Sequence, residues 1–109
     1  MNKLGNVKFS GKSGTRYPFI AYPLGTVFAE GFGGVYVATR RREGKSRSGF
    51  VHKRIRMGQS DDLRQPLASE EQAFSTQGAN CICVHAEKDE GTRREIEQDL
   101  VREPRANSA

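Results

Sequence analysis

The sequence predicts a single α/β (α+β) domain, in which two to three helices flank a small central sheet that carries an N-terminal β-hairpin. Three observations favour this class. Short apolar or alternating runs bounded by Gly and Pro recur along the chain and indicate strands. Two longer segments with apolar residues about four apart indicate helices. At 109 residues and 35% hydrophobic content, the chain can build only one modest core, so residues 1–109 are expected to form one domain.

The N-terminal part, residues 1–32, is predicted to form a hairpin extension. Strands are expected at residues 7–10 and 17–22, and the Gly- and Ser-containing segment 11–14 between them is a turn by composition. Prolines in and just after the second strand keep it short or place it at a sheet edge. The turn superficially resembles a phosphate-binding loop. It lacks the required spacing and precedes no helix, so we expect no nucleotide site there.

The remaining elements belong to a predicted core of residues 33–107. Strands are expected at residues 35–38, 55–57 and 80–85, and helices at residues 62–74 and 92–102. Pro66 falls near the start of the first helix, where proline is tolerated. In the strand at 35–38, successive side chains point to opposite faces. Val35 and Val37 are therefore predicted to enter the core, while Tyr36 projects from a functional face.

Residues 39–54 are predicted to form a basic, flexible loop. Seven Lys or Arg residues stand there against Glu43 alone, and Gly and Ser residues separate them. A flexible basic segment can contact nucleic-acid phosphates without reading sequence. The alternative is a solvated loop that binds nothing. The candidate nucleic-acid-binding residues are Arg40, Arg41, Arg42, Lys45, Arg47, Lys53 and Arg54.

The charge is unevenly distributed between the two halves of the chain. Residues 1–60 carry 12 Lys/Arg and two acids, a net +10, and residues 61–109 carry six Lys/Arg and 11 acids, a net −5, which sum to +5. A basic half suits a polyanion, and an acidic half suits a metal site, a protein partner or plain solubility. No apolar run approaches a membrane span and the N-terminus lacks the apolar region of a signal peptide, so we expect a cytoplasmic protein without a membrane partner.

Cys81, Cys83 and His85 alternate along one predicted strand and would share one face. This pattern offers at most three metal ligands, and neighbouring positions on one strand face seldom close around a single ion. His52 is the only other histidine, and no second cysteine cluster exists. Because free cysteine is also a common core residue, we expect this strand to pack in the core, with both cysteines as reduced thiols.

The core also resembles the GIY-YIG nuclease superfamily. Residues 34–36, Gly-Val-Tyr, stand at the GIY motif, and residues 56–58, Arg-Met-Gly, stand at the YIG motif. Residues 59–63, Gln-Ser-Asp-Asp-Leu, match the usual continuation. Residues 94–101 match the frame around the family's metal-binding glutamate, here Glu97, and Pro104 and Asn107 stand where the family has a later Pro and Asn. The hairpin resembles the extension of a small bacterial subgroup that shares the Ser-Gly-x-x-Tyr and Gly-Ala-Asn-Cys-Ile-Cys-Val-His stretches.

The resemblance implies a metal-dependent phosphodiesterase site. One divalent ion, Mg²⁺, would be held by Glu97, while tyrosines and an arginine orient water and stabilise the charged phosphate. The site positions carried over from the family, with the nearest available arginine, are Tyr36, Arg56, Gly58, Arg64 and Glu97.

Two of these positions depart from the family pattern. Arg56 replaces the second tyrosine and has no hydroxyl, and Pro66 replaces the arginine. Arg64 is two residues earlier, about 200° away around a helix. The prediction is therefore a catalytically degenerate GIY-YIG-like domain that binds nucleic acid weakly and nonspecifically through the basic loop, with Mg²⁺ bound weakly if at all. The alternatives are an active metal-dependent endonuclease that cleaves DNA, and a protein-interaction scaffold.

Overall fold

The structure, a computed structural model, describes residues 3–44 and 49–101 of the chain. Five strands and two helices are found in these ranges, which confirms the α+β class. The strands are β1 (Gly5–Ser10), β2 (Arg16–Pro23), β3 (Gly34–Glu43), β4 (Phe50–Ser60) and β5 (Cys81–Ala86), and the helices are α1 (Arg64–Thr76) and α2 (Glu90–Val101). The predicted N-terminal hairpin is β1 and β2, which pair antiparallel from Gly5 opposite Ala21 to Ser10 opposite Arg16.

All five strands form one antiparallel sheet in the order β1-β2-β5-β3-β4. The sheet curls until its two end strands approach each other. Arg54 of β4 donates a hydrogen bond from Nη2 to the carbonyl of Ser10 at 2.7 Å, and Arg41 of β3 donates from Nη2 to the carbonyl of Leu4 at 3.4 Å. We call the gap between residues 4–10 and residues 50–54 the seam.

Each face of the sheet packs against one helix. On the α2 face, Val35 and Val37 pack with Leu100 in a fully buried cluster. On the α1 face, Ala38 packs with Leu67, and the half-buried Tyr36 lies against this second cluster. The predicted division of the third strand, with its valines on one side and Tyr36 on the other, is confirmed.

The prediction of a flexible loop over residues 39–54 is wrong for most of its length. β3 continues to Glu43 and β4 begins at Phe50, and the two strands pair from Thr39 opposite Arg54 to Glu43 opposite Phe50. Backbone pairing to a neighbouring strand stabilises an extended conformation even where the side chains are charged. β5 pairs with β3 only as far as Thr39. Residues 40–43 and 50–53 therefore project as a two-stranded ribbon.

A β-bulge at the base of the ribbon changes the alternation of β4. Ala38 lies opposite Arg56, but Thr39 lies opposite Arg54, so Ile55 is an extra residue in β4. As a result, Arg54 shares the α2 face with Thr39, whereas Arg56 shares the α1 face with Ala38.

Both helices begin two residues away from their predicted starts. α1 starts at Arg64 because Asp62 lies just before the helix and accepts a hydrogen bond from the Arg64 amide at 3.2 Å. α2 starts at Glu90 because Asp89 accepts hydrogen bonds from the backbone and side chain of Thr92, both at 2.8 Å. Pro66 lies in the first turn of α1, as expected. Pro104 and Asn107 lie outside the described residues.

The hairpin turn binds a carboxylate of this chain. Ser13 donates to Asp99 of α2 through its amide at 2.8 Å and its hydroxyl at 2.6 Å, and the Tyr17 hydroxyl donates at 2.8 Å. A Cβ at Gly11 would overlap the same carboxylate. The hydrogen bonds from Ser13, followed by that from Tyr17, hold the pKa of Asp99 below its usual value. The turn that resembles a phosphate loop therefore fastens the hairpin to α2.

Candidate functional site

The two motifs that carry the family resemblance meet side by side in the sheet. Tyr36 on β3 and Gly58 on β4 are direct partners in the antiparallel ladder. The tyrosine ring lies over the glycine, because a Cβ at Gly58 would stand 2.6 Å from the Tyr36 hydroxyl and 2.8 Å from two ring carbons. Phe74 of α1 contacts the same ring, with the two centroids 5.8 Å apart. Gly58 thus provides the space that Tyr36 occupies.

Burial and nearby carboxylates hold the proton on Tyr36. Burial is the largest cause of the raised pKa of this hydroxyl, and the charges of Glu70 and then Glu97 add to it. Arg56, on the same face of the sheet, acts in the opposite direction. The exposed Arg56 side chain donates from Nε to the Gln77 side chain at 3.1 Å, at the end of α1. Tyr36 is therefore a poor general base at neutral pH.

Arg64 of α1 is the arginine nearest in sequence to Pro66, the position at which the GIY-YIG family has an arginine. Arg64 is exposed and lines a groove with Val27 of the β2–β3 connector and Glu71 of α1. Within the described residues it makes no hydrogen bond or ring contact with Tyr36. Pro66 cannot donate a hydrogen bond to a phosphate. The structure therefore brings Tyr36, Arg56 and Gly58 together, and it does not bring Arg64 to them.

Glu97 lies in the layer on the other side of the sheet, on α2. Its position is one helical turn after Arg93, which donates from Nε to the Gln59 side chain of β4 at 2.8 Å. Glu97 is half-buried, and after burial and the charge of Glu70 its charge is the third cause of the raised pKa of Tyr36. Among the described residues, no group of three potential metal ligands includes Glu97. Mg²⁺ at this position would have one protein carboxylate, which by itself binds the ion weakly.

The ribbon sorts the predicted nucleic-acid-binding residues onto two faces. Arg40, Arg42 and Lys53 are exposed on the α1 face, with Arg40 and Lys53 directly opposite each other in the ladder. Within the part of the chain that the structure describes, none of the three makes an ion pair. We call these three residues the basic face. Arg56 lies on the same side of the sheet, beyond the bulge.

The other predicted binding residues of the ribbon point toward the seam. The Arg54 guanidinium donates to the carbonyl of Ser10 and, at 2.9 Å, to that of Leu100. Arg41 stacks on Phe50 with 3.6 Å between the guanidinium carbon and the ring centroid. These two arginines therefore hold structural positions. Lys45 and Arg47 lie outside the described residues.

A third set of polar groups lies inside the α2 face, and sequence reasoning identified only part of it. Cys81 and Cys83 are fully buried in the core, as expected. His85 is separate from them and donates from Nδ1 to the carbonyl of Pro18 at 2.6 Å. The nearby imidazole is that of His52 on β4, whose Nδ1 lies 3.9 Å from the sulfur of Cys83. A prediction of β4 that included residue 52 would have identified this histidine, because strand alternation places His52 on the same face as Arg54.

The polar neighbours of Cys81 favour its thiolate form. The hydrogen bond from Cys83 is the main cause that lowers the pKa of Cys81 to about 7. Burial acts in the opposite direction, and the Thr39 hydroxyl lowers the pKa further. The same hydrogen bond, together with burial, raises the pKa of Cys83. His52, Cys81 and Cys83 are the group of three potential metal ligands found within the described residues.

The chain matches no protein-family model, no curated protein and no solved structure. Of the described helices, neither α1 nor α2 combines the length and the apolar character needed to cross a membrane. Function is therefore inferred from the residues and their arrangement.

Proposed function

We propose that this chain is a GIY-YIG-like domain with a degenerate catalytic site, and that it binds the nucleic-acid backbone weakly and without sequence preference. The observation that supports binding is the basic face: Arg40, Arg42 and Lys53 are exposed on one side of a projecting ribbon, and none has an anionic partner among the described residues. Cations held on one face without internal partners are available to phosphates.

The shape of the ribbon suits a nucleic-acid groove. A two-stranded β-ribbon fits the major groove of B-form DNA, and side chains on one face of a strand repeat about every 7 Å. Arg40 and Arg42 are two residues apart on β3, and Lys53 is the ladder partner of Arg40. The arginines can each donate two parallel hydrogen bonds to a phosphate, while the lysine acts as a compact charge. Contacts of this kind position a protein on a duplex but carry no sequence information.

The strength of binding follows from the number of cations. For three phosphate contacts, we expect a plot of the logarithm of the association constant against the logarithm of the salt concentration to have a slope of about −3. Dissociation constants for nonspecific binding are typically about 10⁻⁴ to 10⁻⁶ M at physiological salt. With only three contacts, we expect this chain to bind at the weak end of that range.

Loss of catalysis is proposed from the residues around Tyr36. The family's arginine position is Pro66, its second tyrosine position is Arg56, and the pKa of Tyr36 is raised. A missing phosphate-stabilising donor alone costs about 10²- to 10³-fold in rate. The alternative, an active Mg²⁺-dependent endonuclease, is favoured by one observation, the electrostatic influence of Glu97 on Tyr36.

Fluorescence anisotropy with a labelled DNA duplex, measured over a series of salt concentrations, tests the binding proposal. The test variant combines Arg40→Gln, Arg42→Gln and Lys53→Gln. A matched control removes the same charge from three other exposed positions, through Lys12→Gln, Arg16→Gln and Lys88→Gln. We expect the test variant to lose most of the binding and about three units of salt slope, and the control to keep most of both.

Equal losses in the two triple variants would contradict the proposal, because binding would then depend on net charge and not on the basic face. Wild-type binding that is insensitive to salt would favour a protein-interaction scaffold instead. The endonuclease alternative is tested separately, by measuring whether the protein nicks supercoiled DNA in the presence of Mg²⁺. We expect no more nicking from the wild type than from Glu97→Ala, and Mg²⁺-dependent nicking that this substitution abolishes would establish the endonuclease.

A further inference from the structure

Polar side chains from three strands converge at one point inside the α2 face. Cys81 and Cys83 come from β5, Thr39 from β3 and His52 from β4. Both cysteines and the threonine are fully buried, and the histidine is half-buried. Two soft sulfur ligands and an imidazole at one place are the donor set that binds zinc and copper in proteins.

The distances between the donor atoms suit a single metal ion. The two sulfurs are 3.9 Å apart, and Nδ1 of His52 lies 3.9 Å from the Cys83 sulfur. All three donor atoms lie within 4.8 Å of one another. For tetrahedral zinc, bond lengths of about 2.3 Å to sulfur and about 2.0 Å to nitrogen place two sulfurs about 3.8 Å apart and sulfur about 3.6 Å from nitrogen. Two of these spacings are therefore within a few tenths of an ångström of the values for a bound ion, and the third, between the donor atoms of His52 and Cys81, is at most 4.8 Å.

Thr39 supplies a fourth polar atom beside the three ligands. Its hydroxyl oxygen lies 2.9 Å from Nδ1 of His52, and Thr39 is the ladder partner of Cys81. When an ion takes the Nδ1 lone pair, the hydroxyl can turn to donate a hydrogen bond to a bound sulfur. Neighbours that orient ligands in this way strengthen metal sites.

One ligand of this cluster lies at the seam, next to solvent. The half-buried His52 lines both clefts between β1 and the ribbon, one bordered by Ser10 and the other by Ala21. Ala21 is the ladder partner of Cys83, so the second cleft reaches the strand pair that holds the cysteines. The histidine is therefore the ligand nearest to solvent, and the thiols lie behind it.

We propose that His52, Cys81 and Cys83 bind one thiolate-preferring d¹⁰ metal ion, zinc(II) or copper(I), at the seam. Two thiols lose their protons as the two metal–sulfur bonds form, and the imidazole binds through neutral Nδ1. With zinc(II), the two thiolates neutralise the ion. With copper(I), the site carries one net negative charge, close to Arg41, which is the ladder partner of His52. This site is separate from the basic face, and its test does not depend on nucleic-acid binding.

Titration of the reduced, chelator-treated full chain tests the site. One arm uses Zn²⁺, with Co²⁺ as its spectroscopic substitute, and the other uses Cu⁺ under reducing conditions. We expect one ion per chain, a sulfur-to-cobalt charge-transfer band, and a rise in melting temperature of about 10 °C at an ion concentration about a hundred times the dissociation constant. Stabilisation by only one of the two ions identifies which one the site prefers.

His52→Gln is the decisive variant because its position at the seam makes it the ligand least needed for folding. We expect it to weaken binding of the preferred ion at least tenfold, which at the same ion concentration removes about half of the thermal stabilisation or more. His85→Gln is the matched control, since His85 lies on the same face of β5 but outside the cluster, and it should keep the wild-type affinity within about twofold. Absence of stabilisation by either ion, unchanged affinity in His52→Gln, or equal losses in both variants would each overturn the proposal.

Discussion

Replacing Gly58 with alanine tests whether the Tyr36 ring lies over the second motif. The added methyl would stand 2.6 Å from the tyrosine hydroxyl and 2.8 Å from two ring carbons, well inside van der Waals contact. The ring can press against Phe74 or swing outward and lose burial. Overpacking of this kind costs about 1–3 kcal/mol. Removing a glycine from a strand interior returns about 0.5–1 kcal/mol, so the net loss of unfolding free energy should be at most about 2.5 kcal/mol.

The same substitution should have the opposite sign when the tyrosine is absent. In a Tyr36→Ala background the methyl of Gly58→Ala meets no ring, and only the gain of about 0.5–1 kcal/mol remains. The two substitutions should therefore be coupled by about 1–3 kcal/mol. Urea unfolding followed by far-ultraviolet circular dichroism measures all four proteins, since the chain has no tryptophan. Equal effects of Gly58→Ala in both backgrounds would refute the close approach of ring and glycine.

Three further substitutions test other contacts. Asp99→Ala should lower the melting temperature near pH 7. The difference from wild type should shrink as the pH falls from 3.8 through the native pKa, because the hydrogen bonds that lower the pKa of Asp99 stabilise the fold only while the carboxylate is ionised. A difference in melting temperature that persists at low pH would contradict this. Glu70→Gln should lower the pKa of Tyr36 yet leave it above 10.0, because burial is the larger cause of the shift. Nuclear magnetic resonance of the ring carbons as a function of pH measures this pKa. An unchanged pKa would mean that Glu70 does not act on the tyrosine. Leu100→Ala should cost about 2–5 kcal/mol of unfolding free energy, measured in urea, because Leu100 is fully buried. Val101→Ala is the control: Val101 is 57% exposed, so this substitution should cost about 0.5 kcal/mol or less. Similar losses in the two variants would contradict the packing of α2.

Local sequence patterns were sufficient where apolar residues and turn residues act together. The hairpin, β5 and both helices were predicted within about two residues, since each has an apolar face and a recognisable boundary. The division of β3 into a valine face and a tyrosine face also followed from strand alternation. These features depend on neighbouring residues in the chain, so the sequence alone predicts them.

The ribbon was missed because most of its side chains are charged, and the apolar Phe50 and Val51 form too short a run to indicate a strand. Arg40, Arg42 and Lys53 are charged and exposed, and the strands there are held by backbone pairing that no side chain reveals. The sulfur–imidazole cluster was missed for a related reason. His52 is 31 residues before Cys83, and only the register across β4, β3 and β5 brings them together. A pattern along one strand pointed instead to His85.

Two arginine side chains bridge the seam between the ends of the sheet. β1 and β4 are the two ends of the sheet order, and an exposed strand edge is a template for pairing with another chain. Arg54 connects β4 to the carbonyl of Ser10, and Arg41 connects β3 to that of Leu4. Because the two edges lie close together, less room is left for another chain to pair with either of them. Two arginines that the sequence predicts as ligands for a polyanion instead bridge the seam.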